Sequence, residues 1–276
     1  MTAADFAFVA KLLRDRTAIV LEPGKEYLLV SRLTPVAERH GLTTAEQFID
    51  KLRGGAEESV RDLIEAMVTT ETLFFRDATP FETLRAAVLP ALIAARRDTR
   101  RLNIWCAAGS SGQEPYSVAL TVAHHFPELA GWDVRILATD ISRDMLARSA
   151  DGRYSQMEVD RGLPPDLLKR YFHKDGTAWQ LADDVRRRVE FRPLNLAQPW
   201  PALPTMDLVF LRNVMIYFDV ETKKAVLRRA ADALAPDGLL VLGGAETPFN
   251  LVDCFVRAED LSAGYYRVVR PPLGGR

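Results

Sequence analysis

The sequence predicts an α/β protein in which a small helical domain precedes a larger domain built on a mainly parallel sheet. Two observations lead to this prediction. The first quarter of the 276-residue chain carries apolar residues at helical spacing and shows no alternating strand pattern. After residue 101, short apolar runs alternate with helical or irregular segments, an order typical of a parallel sheet covered by helices.

The helical domain is predicted over residues 1–75. Phe6, Val9, Leu12 and Leu13 repeat at helical spacing near its start. Turn-prone glycines separate the helical patterns that follow, which cover residues 27–36, 44–51 and 59–67. Pro35 should start or kink a helix, because proline has no backbone N–H to donate. Residues 76–101 are predicted as a linker with one connecting helix over 81–95, and the four arginines among 96–101 are typical of a solvated face.

The second domain is predicted over residues 102–276. Strand candidates separated by helical or irregular segments cover residues 102–108, 134–139, 189–194, 206–211 and 238–243, with further short candidates at 255–257 and 265–269. Around residues 171–190, a turn at Asp175-Gly176 separates two possible short strands. We therefore expect a small β excursion from the main sheet.

The turn after the first strand is the most informative segment. Gly109, Ser110, Ser111 and Gly112 let the backbone turn tightly and approach a ligand without Cβ clashes. The next helix should begin near Glu114, since proline, which follows it, is favoured at a first helical position. Open α/β sheets bind their ligands at such a strand's carboxyl end, so a nucleotide-sized ligand site is expected here.

The charge of this turn indicates the ligand. The run from Gly109 to Gly112 departs from the G-x-G-x-x-G pattern, and the Glu114 carboxylate would repel a pyrophosphate. S-adenosylmethionine carries a sulfonium and an ammonium and no phosphate, so the polarity fits a methyl donor. Asp140, at the end of the second strand, is suitably placed to accept hydrogen bonds from a ribose diol.

Composition excludes several other classes of protein. The net charge of −1 gives no sign of nucleic-acid affinity, and no apolar run approaches the ~18 residues that cross a bilayer. The first residues lack a signal-peptide pattern, so we expect a cytoplasmic protein without membrane insertion. Cys106 and Cys254 are expected to be buried free thiols, and no metal-ligand spacing is present among the four histidines, which we interpret as surface or structural residues.

Several blocks of the sequence resemble the chemotaxis receptor glutamate O-methyltransferases of the CheR type. In chain order they are Thr69-Thr-Glu-Thr-Leu-Phe-Phe-Arg76, residues 105–117, Ala138-Thr-Asp-Ile141, Asn195-Leu196 and Phe210-Leu-Arg-Asn-Val-Met-Ile-Tyr-Phe-Asp219. The resemblance implies a Rossmann-like class I S-adenosylmethionine-dependent methyltransferase domain, with a small all-helical N-terminal domain, a small β excursion and a final antiparallel strand pair.

The resemblance also implies site residues. Arg76 and Tyr217 are expected to be catalytic and to orient the acceptor carboxylate. The expected cofactor-binding residues are Thr70, Thr72, Arg76, Gly109, Glu114, Asp140, Asn195, Leu196, Arg212 and Asn213. Alternatives remain: a structural salt bridge for Arg212, stabilisation of the helix start for Glu114, a loop carboxylate for Asp140 and a structural hydrogen bond for Tyr217. Phe74 and Phe75 are expected to be packing residues, and Thr70 stands where the family commonly has asparagine.

The partner implied by the resemblance is the acidic cytoplasmic helical bundle of a methyl-accepting chemoreceptor. Lys25, Arg32 and Arg39 lie where relatives carry basic residues for that contact, although Arg32 could also be a solvated arginine. We expect a monomer, and we do not expect the β excursion to bind a receptor tether, because its loop is short. The alternatives are a non-catalytic module that senses S-adenosylmethionine or S-adenosylhomocysteine, and a methyltransferase acting on another substrate.

Overall fold

The computed structural model describes residues 1–262 and 264–270, and the chain divides into two compact units. The first unit contains residues 1–69 together with 217–222, and the second contains residues 70–216 and the chain from residue 223. Each unit has a hydrophobic core of its own.

Four helices form the first unit, and the predicted helical stretches are confirmed. They are α1 (Ala3–Thr17), α2 (Glu26–Arg39), α3 (Ala45–Arg53) and α4 (Glu57–Met67). The hydroxyls of Thr2 and Thr44 accept backbone N–H bonds at the starts of α1 and α3, which satisfies donors that have no partner inside the helix. Pro35 lies inside α2 and does not start it; the helix continues to Arg39.

Residues 217–222 join this unit from a distant part of the sequence. Ile19 and Phe218 form an isolated antiparallel bridge, and the N–H of Val20 donates to the carbonyl of Tyr217 at 3.0 Å. Arg14 pairs with Asp219 at 3.2 Å. No periodic pattern indicates this association, because it joins segments about two hundred residues apart. The domain boundaries read from the sequence remain a prediction.

Short helices open the second unit. A helix was predicted over 81–95; the structure has α5 (Thr79–Thr83), a π-helical turn (Leu84–Val88) and α6 (Leu89–Ala95). The remaining helices are α7 (Gln113–His125), α8 (Arg143–Asp151), α9 (Gln156–Asp160), α10 (Pro165–Tyr171), α11 (Asp183–Arg186) and α12 (Val220–Ala233), the last of which continues from the first unit.

The described part of the second unit contains two sheets. The strands are β1 (Arg101–Ala107), β2 (Asp133–Asp140), β3 (Arg153–Ser155), β4 (Phe172–Asp175), β5 (Ala178–Leu181), β6 (Val189–Pro193), β7 (Met206–Leu211), β8 (Leu234–Leu242), β9 (Phe255–Arg257) and β10 (Tyr265–Val268). The main sheet has the order β6-β2-β1-β7-β8-β10-β9. Its first five strands are parallel and the last two pair antiparallel, as expected.

The strand order places the candidate site. From β1 the chain runs outward through β2 to β6 and then returns to β7 on the other side of β1. The order therefore reverses between β1 and β7, and ligands of such sheets bind at this switch point, outside the carboxyl ends of the strands. Those ends are Ala107, Asp140, Pro193 and Leu211.

The β excursion is a separate antiparallel sheet with the order β3-β5-β4. The predicted hairpin corresponds to β4 and β5, whereas β3 was missed, because three residues are too few for an alternating pattern to be recognised.

Two further expectations were tested by the structure. Both cysteines are free thiols, as expected. Cys106 is buried, but Cys254 is only half-buried, so the prediction that Cys254 is buried was wrong. Among the described residues, no helix has both the length and the apolar character needed to cross a membrane.

Candidate active site

The turn between β1 and α7 depends on one glycine. Gly112 has φ of +96°, and a Cβ there would lie 2.8 Å from the Cβ of Ser149 and 2.9 Å from the hydroxyl of Tyr154. A Cβ on Gly109 would meet its nearest neighbour, the Cβ of Ala138, at 3.4 Å, an ordinary contact. The close approach in this turn therefore requires glycine at Gly112, which sequence reasoning did not include among the site residues.

Asp140 holds two loops at the carboxyl end of β2. Its carboxylate accepts the N–H of Ser110 at 2.8 Å and the N–H of Ser142 at 2.9 Å, and the residue is 9% exposed. Its backbone carbonyl accepts the N–H of Leu194 at 2.9 Å. Asp140 therefore joins the glycine turn to the segment that carries Asn195. It is more than a loop carboxylate, because one of its oxygens accepts a backbone N–H of the glycine turn and the other accepts a backbone N–H of the loop after β2.

Residues 70–77 cross the same edge of the sheet. The carbonyl of Thr70 accepts the hydroxyl of Ser110 at 2.7 Å, and the N–H of Phe75 donates to the hydroxyl of Ser117 in α7 at 2.8 Å. Phe74 is fully buried and its ring lies 4.9 Å from that of Tyr154, so its predicted packing role is confirmed. These bonds bring Thr70 and the backbone of Arg76 to the turn.

A buried ion cluster links this segment to α7 and β7. The guanidinium of Arg212 lies 2.9 Å from Glu114 and 2.8 Å from Asp77, and it also donates to the carbonyl of Arg76 at 2.9 Å. The Arg212 side chain is 1% exposed. Burial raises the pKa of Glu114 above its ordinary value, and the charge of Arg212 opposes that rise. The salt bridge considered as an alternative for Arg212 is therefore present.

One buried donor in this cluster is the Nε–H group of Arg212. The Nε atom of Arg212 has no hydrogen-bond partner within the part of the chain that the structure describes. Such a donor is costly to bury unless a ligand or water accepts from it.

Glu246, which sequence reasoning missed, lies beyond the end of β8. It is 8% exposed, and its carboxylate accepts the N–H groups of Asn213, Val214, Met215 and Gly243. The position of this acidic residue shortly after a predicted strand was the signal available, because the carboxyl ends of parallel strands meet at one edge.

Comparison with known families decides the affiliation of this chain. The CheR methyltransferase all-alpha domain matches residues 4–68, and the CheR methyltransferase SAM binding domain matches residues 70–260. The chain belongs to the CheR methyltransferase family.

Individual relatives match this CheR family member along most of its length. Chemotaxis protein methyltransferase 1 of Pseudomonas aeruginosa is 42% identical over 271 residues, covering 96% of this chain and 97% of the relative. The chemotaxis protein methyltransferases of Vibrio anguillarum and Escherichia coli are 39% and 33% identical; each covers 89% of this chain, and the matches span 90% and 85% of the relatives.

The remaining predicted residues of this CheR family member are placed as follows. Arg76 is half-buried, and its guanidinium donates to the carbonyl of Glu71 at 3.2 Å. The side chain of Asn195 accepts the N–H of Ala197 at 3.0 Å, Leu196 is buried, and Thr72 is half-buried. These positions lie in the same unit as Glu114. Their contacts with a cofactor remain predictions.

Tyr217 belongs to the other compact unit. It ends the 3-10 turn Met215–Tyr217, is half-buried, and contacts Val20 through its backbone carbonyl. Its catalytic role remains a prediction.

Arg32 has a structural contact that neither interpretation of the sequence anticipated. Its guanidinium donates to the carbonyl of Met67, the last residue of α4, at 2.8 Å. A cation at this position satisfies a terminal carbonyl and complements the helix dipole. Lys25 and Arg39 are exposed.

Proposed function

We propose that this protein transfers a methyl group from S-adenosylmethionine to glutamate side chains on the cytoplasmic helices of chemoreceptors. The products are glutamate methyl esters and S-adenosylhomocysteine. The observation that carries the proposal is the presence of two buried carboxylates, Glu114 and Asp140, at the switch-point edge of the sheet in a chain matched by both domains of the CheR family.

The charges at this edge fit S-adenosylmethionine. Glu114 would face the donor's ammonium and Asp140 its ribose, and the same carboxylates would repel a phosphate group. The Nε of buried Arg212, which has no acceptor among the described residues, suits the donor's carboxylate. Together with these three, the residues that would hold the cofactor are Thr70, Thr72, Arg76, Gly109, Asn195, Leu196 and Asn213. When bound, the cofactor supplies an electrophilic methyl group on a sulfonium.

The acceptor needs no general base. An exposed glutamate has a pKa of about 4.3 and is ionised at neutral pH, so its oxygen is already nucleophilic. The side chains of the protein must exclude water and align the carboxylate in line with the methyl group. A strong ion pair to the attacking oxygen would reduce its nucleophilicity, so Arg76 should orient it without neutralising it. The role proposed for Tyr217, which is to orient the acceptor carboxylate, rests only on the resemblance to the family.

The proposed partner is an acidic receptor helix bundle, for which Lys25 and Arg39 offer exposed positive charge. Arg32 contributes less to this surface, because its guanidinium is engaged by Met67. We propose that the protein acts in the cytoplasm as a monomer.

The test is incubation of the protein with methyl-labelled donor and receptor cytoplasmic fragments, followed by base treatment. Label released as methanol supports ester formation. Donor binding without transfer would indicate the sensing module, and base-stable label would indicate another acceptor chemistry.

A further inference from the structure

Four backbone N–H groups converge on the carboxylate of Glu246. One oxygen accepts from Asn213 at 2.6 Å and Gly243 at 3.0 Å, and the other accepts from Val214 at 3.0 Å and Met215 at 2.8 Å. An ionised carboxylate offers about four acceptor sites, so two donors on each oxygen use all of that capacity. Water contributes little, because the residue is 8% exposed.

The segment held by Glu246 has an unusual backbone. Asn213 has φ of +56°, a left-handed conformation that is uncommon outside glycine but that asparagine adopts more readily than most other residues. Hydrogen bonds from the N–H of Asn213 and of the next residue keep it in that conformation. A Cβ on Gly243 would lie 2.6 Å from the side-chain amide nitrogen of Asn213 and 2.9 Å from the carboxylate of Glu246, so a larger residue there would displace one of these two side chains.

We propose that Glu246 is a positioning residue for the donor site: it holds the end of β7 so that Arg212 and Asn213 face the donor. The proposal rests on the proposed function, which assigns those two residues to the donor. Glu246 acts through the backbone and does not touch the donor. A carboxylate is required because every contact is an N–H donor, and a glutamine would present its own N–H₂ to some of them.

The test compares two buried carboxylates near opposite ends of β7. Asp207 is 5% exposed and accepts the N–H of Asn103 and the Nε of Arg96, both at 2.8 Å, near the amino end of that strand. E246Q and D207N should both lower stability. Only E246Q should weaken S-adenosylhomocysteine binding in calorimetry, by about tenfold or more. Exchange of the amide hydrogens of residues 213–215 should also accelerate in E246Q alone.

The possible outcomes are distinct. Equal donor affinity in E246Q and the parent, or equal losses in E246Q and D207N, overturns the positioning role. Should E246Q not fold, E246D replaces it, since it keeps the charge but is too short to reach all four donors; parental affinity in E246D then overturns the role. A parent protein that binds no S-adenosylhomocysteine overturns the proposed function itself, and with it the assignment of Glu246.

Discussion

The carboxylate of Glu114 lies 2.9 Å from the guanidinium of Arg212, and both side chains are almost fully removed from water. Taking two charges out of water costs free energy that their attraction only partly offsets, so a buried pair is weak support for stability. Its position at the switch point indicates a functional reason for its presence, because perturbed carboxylates cluster at binding and catalytic sites.

The first prediction concerns pH and the E114Q variant. Burial raises the pKa of Glu114 above its ordinary value of 4.5, so Glu114 binds a proton more readily in the folded protein than in the unfolded chain. The contribution of Glu114 to stability is therefore fully present below 4.5 and is lost as pH rises through its folded pKa. Urea unfolding across this window should show the stability of the parent falling relative to E114Q. A stability difference between the parent and E114Q that does not change with pH, or that grows in the parent's favour as pH rises, would contradict this prediction. The control is E190Q, which changes an exposed glutamate.

The second prediction concerns the glycine turn. G112A should lower the free energy of unfolding by more than ~1–3 kcal/mol, because it adds a steric clash to an unfavourable left-handed φ. Gly176 is the matched control: its φ is +60°, but a Cβ there would have no described residue within 4 Å. G176A should therefore show only the conformational cost. Equal losses for the two variants in urea unfolding would mean that the approach to Ser149 and Tyr154 has no energetic importance.

The centre of the main sheet could be predicted from the sequence because strands β1, β7 and β8 are largely buried and contain short apolar runs. Strand β7 illustrates this: all six of its residues are buried, and its predicted bounds match. Strand β3 could not be predicted, because its three residues are defined by pairing with β5 and not by a pattern of their own.

The site was predictable only in part. Glu114 and Asp140 follow from the rule that ligands bind at the carboxyl ends of strands. The partners of Arg212 and Glu246 could not be read from the sequence, because Arg212 and Glu114 are 98 residues apart and Glu246 binds backbone N–H groups, which every residue except proline carries. The grouping of Tyr217 with the first helices depends on a similar long-range contact.

The third prediction concerns Asp140. D140N should lower the affinity for S-adenosylhomocysteine by ~1.5–3 kcal/mol, because a charged acceptor for the ribose is lost. It should also cost stability, since the carboxylate holds the N–H groups of Ser110 and Ser142. Asp133 begins the same strand at its exposed end, so D133N is the control for calorimetry. Unchanged affinity in a folded D140N variant would remove Asp140 from the donor site.

The fourth prediction concerns Arg76. R76A should keep the fold, because the bond from Arg212 uses the backbone carbonyl of Arg76. Methyl transfer should fall on the order of a hundredfold while donor binding remains measurable, since the acceptor loses its alignment. R76K should restore little of the lost activity, because an ammonium lacks the planar fork of arginine.

The control for this prediction is R161A, which removes a nearby exposed arginine that pairs with Glu71 and should leave the rate of methyl transfer unchanged. If the R76A rate falls only in proportion to donor affinity, Arg76 belongs to the cofactor site alone.

The most direct test of the proposed function is fragmentation mass spectrometry of a receptor cytoplasmic fragment after reaction with the protein and S-adenosylmethionine. We predict a mass gain of one methylene on glutamate side chains, lost on mild base treatment, and its near absence with R76A. A methyl group on any other residue type, or no modification by a protein that binds the donor, would contradict the proposed methyl transfer to glutamate.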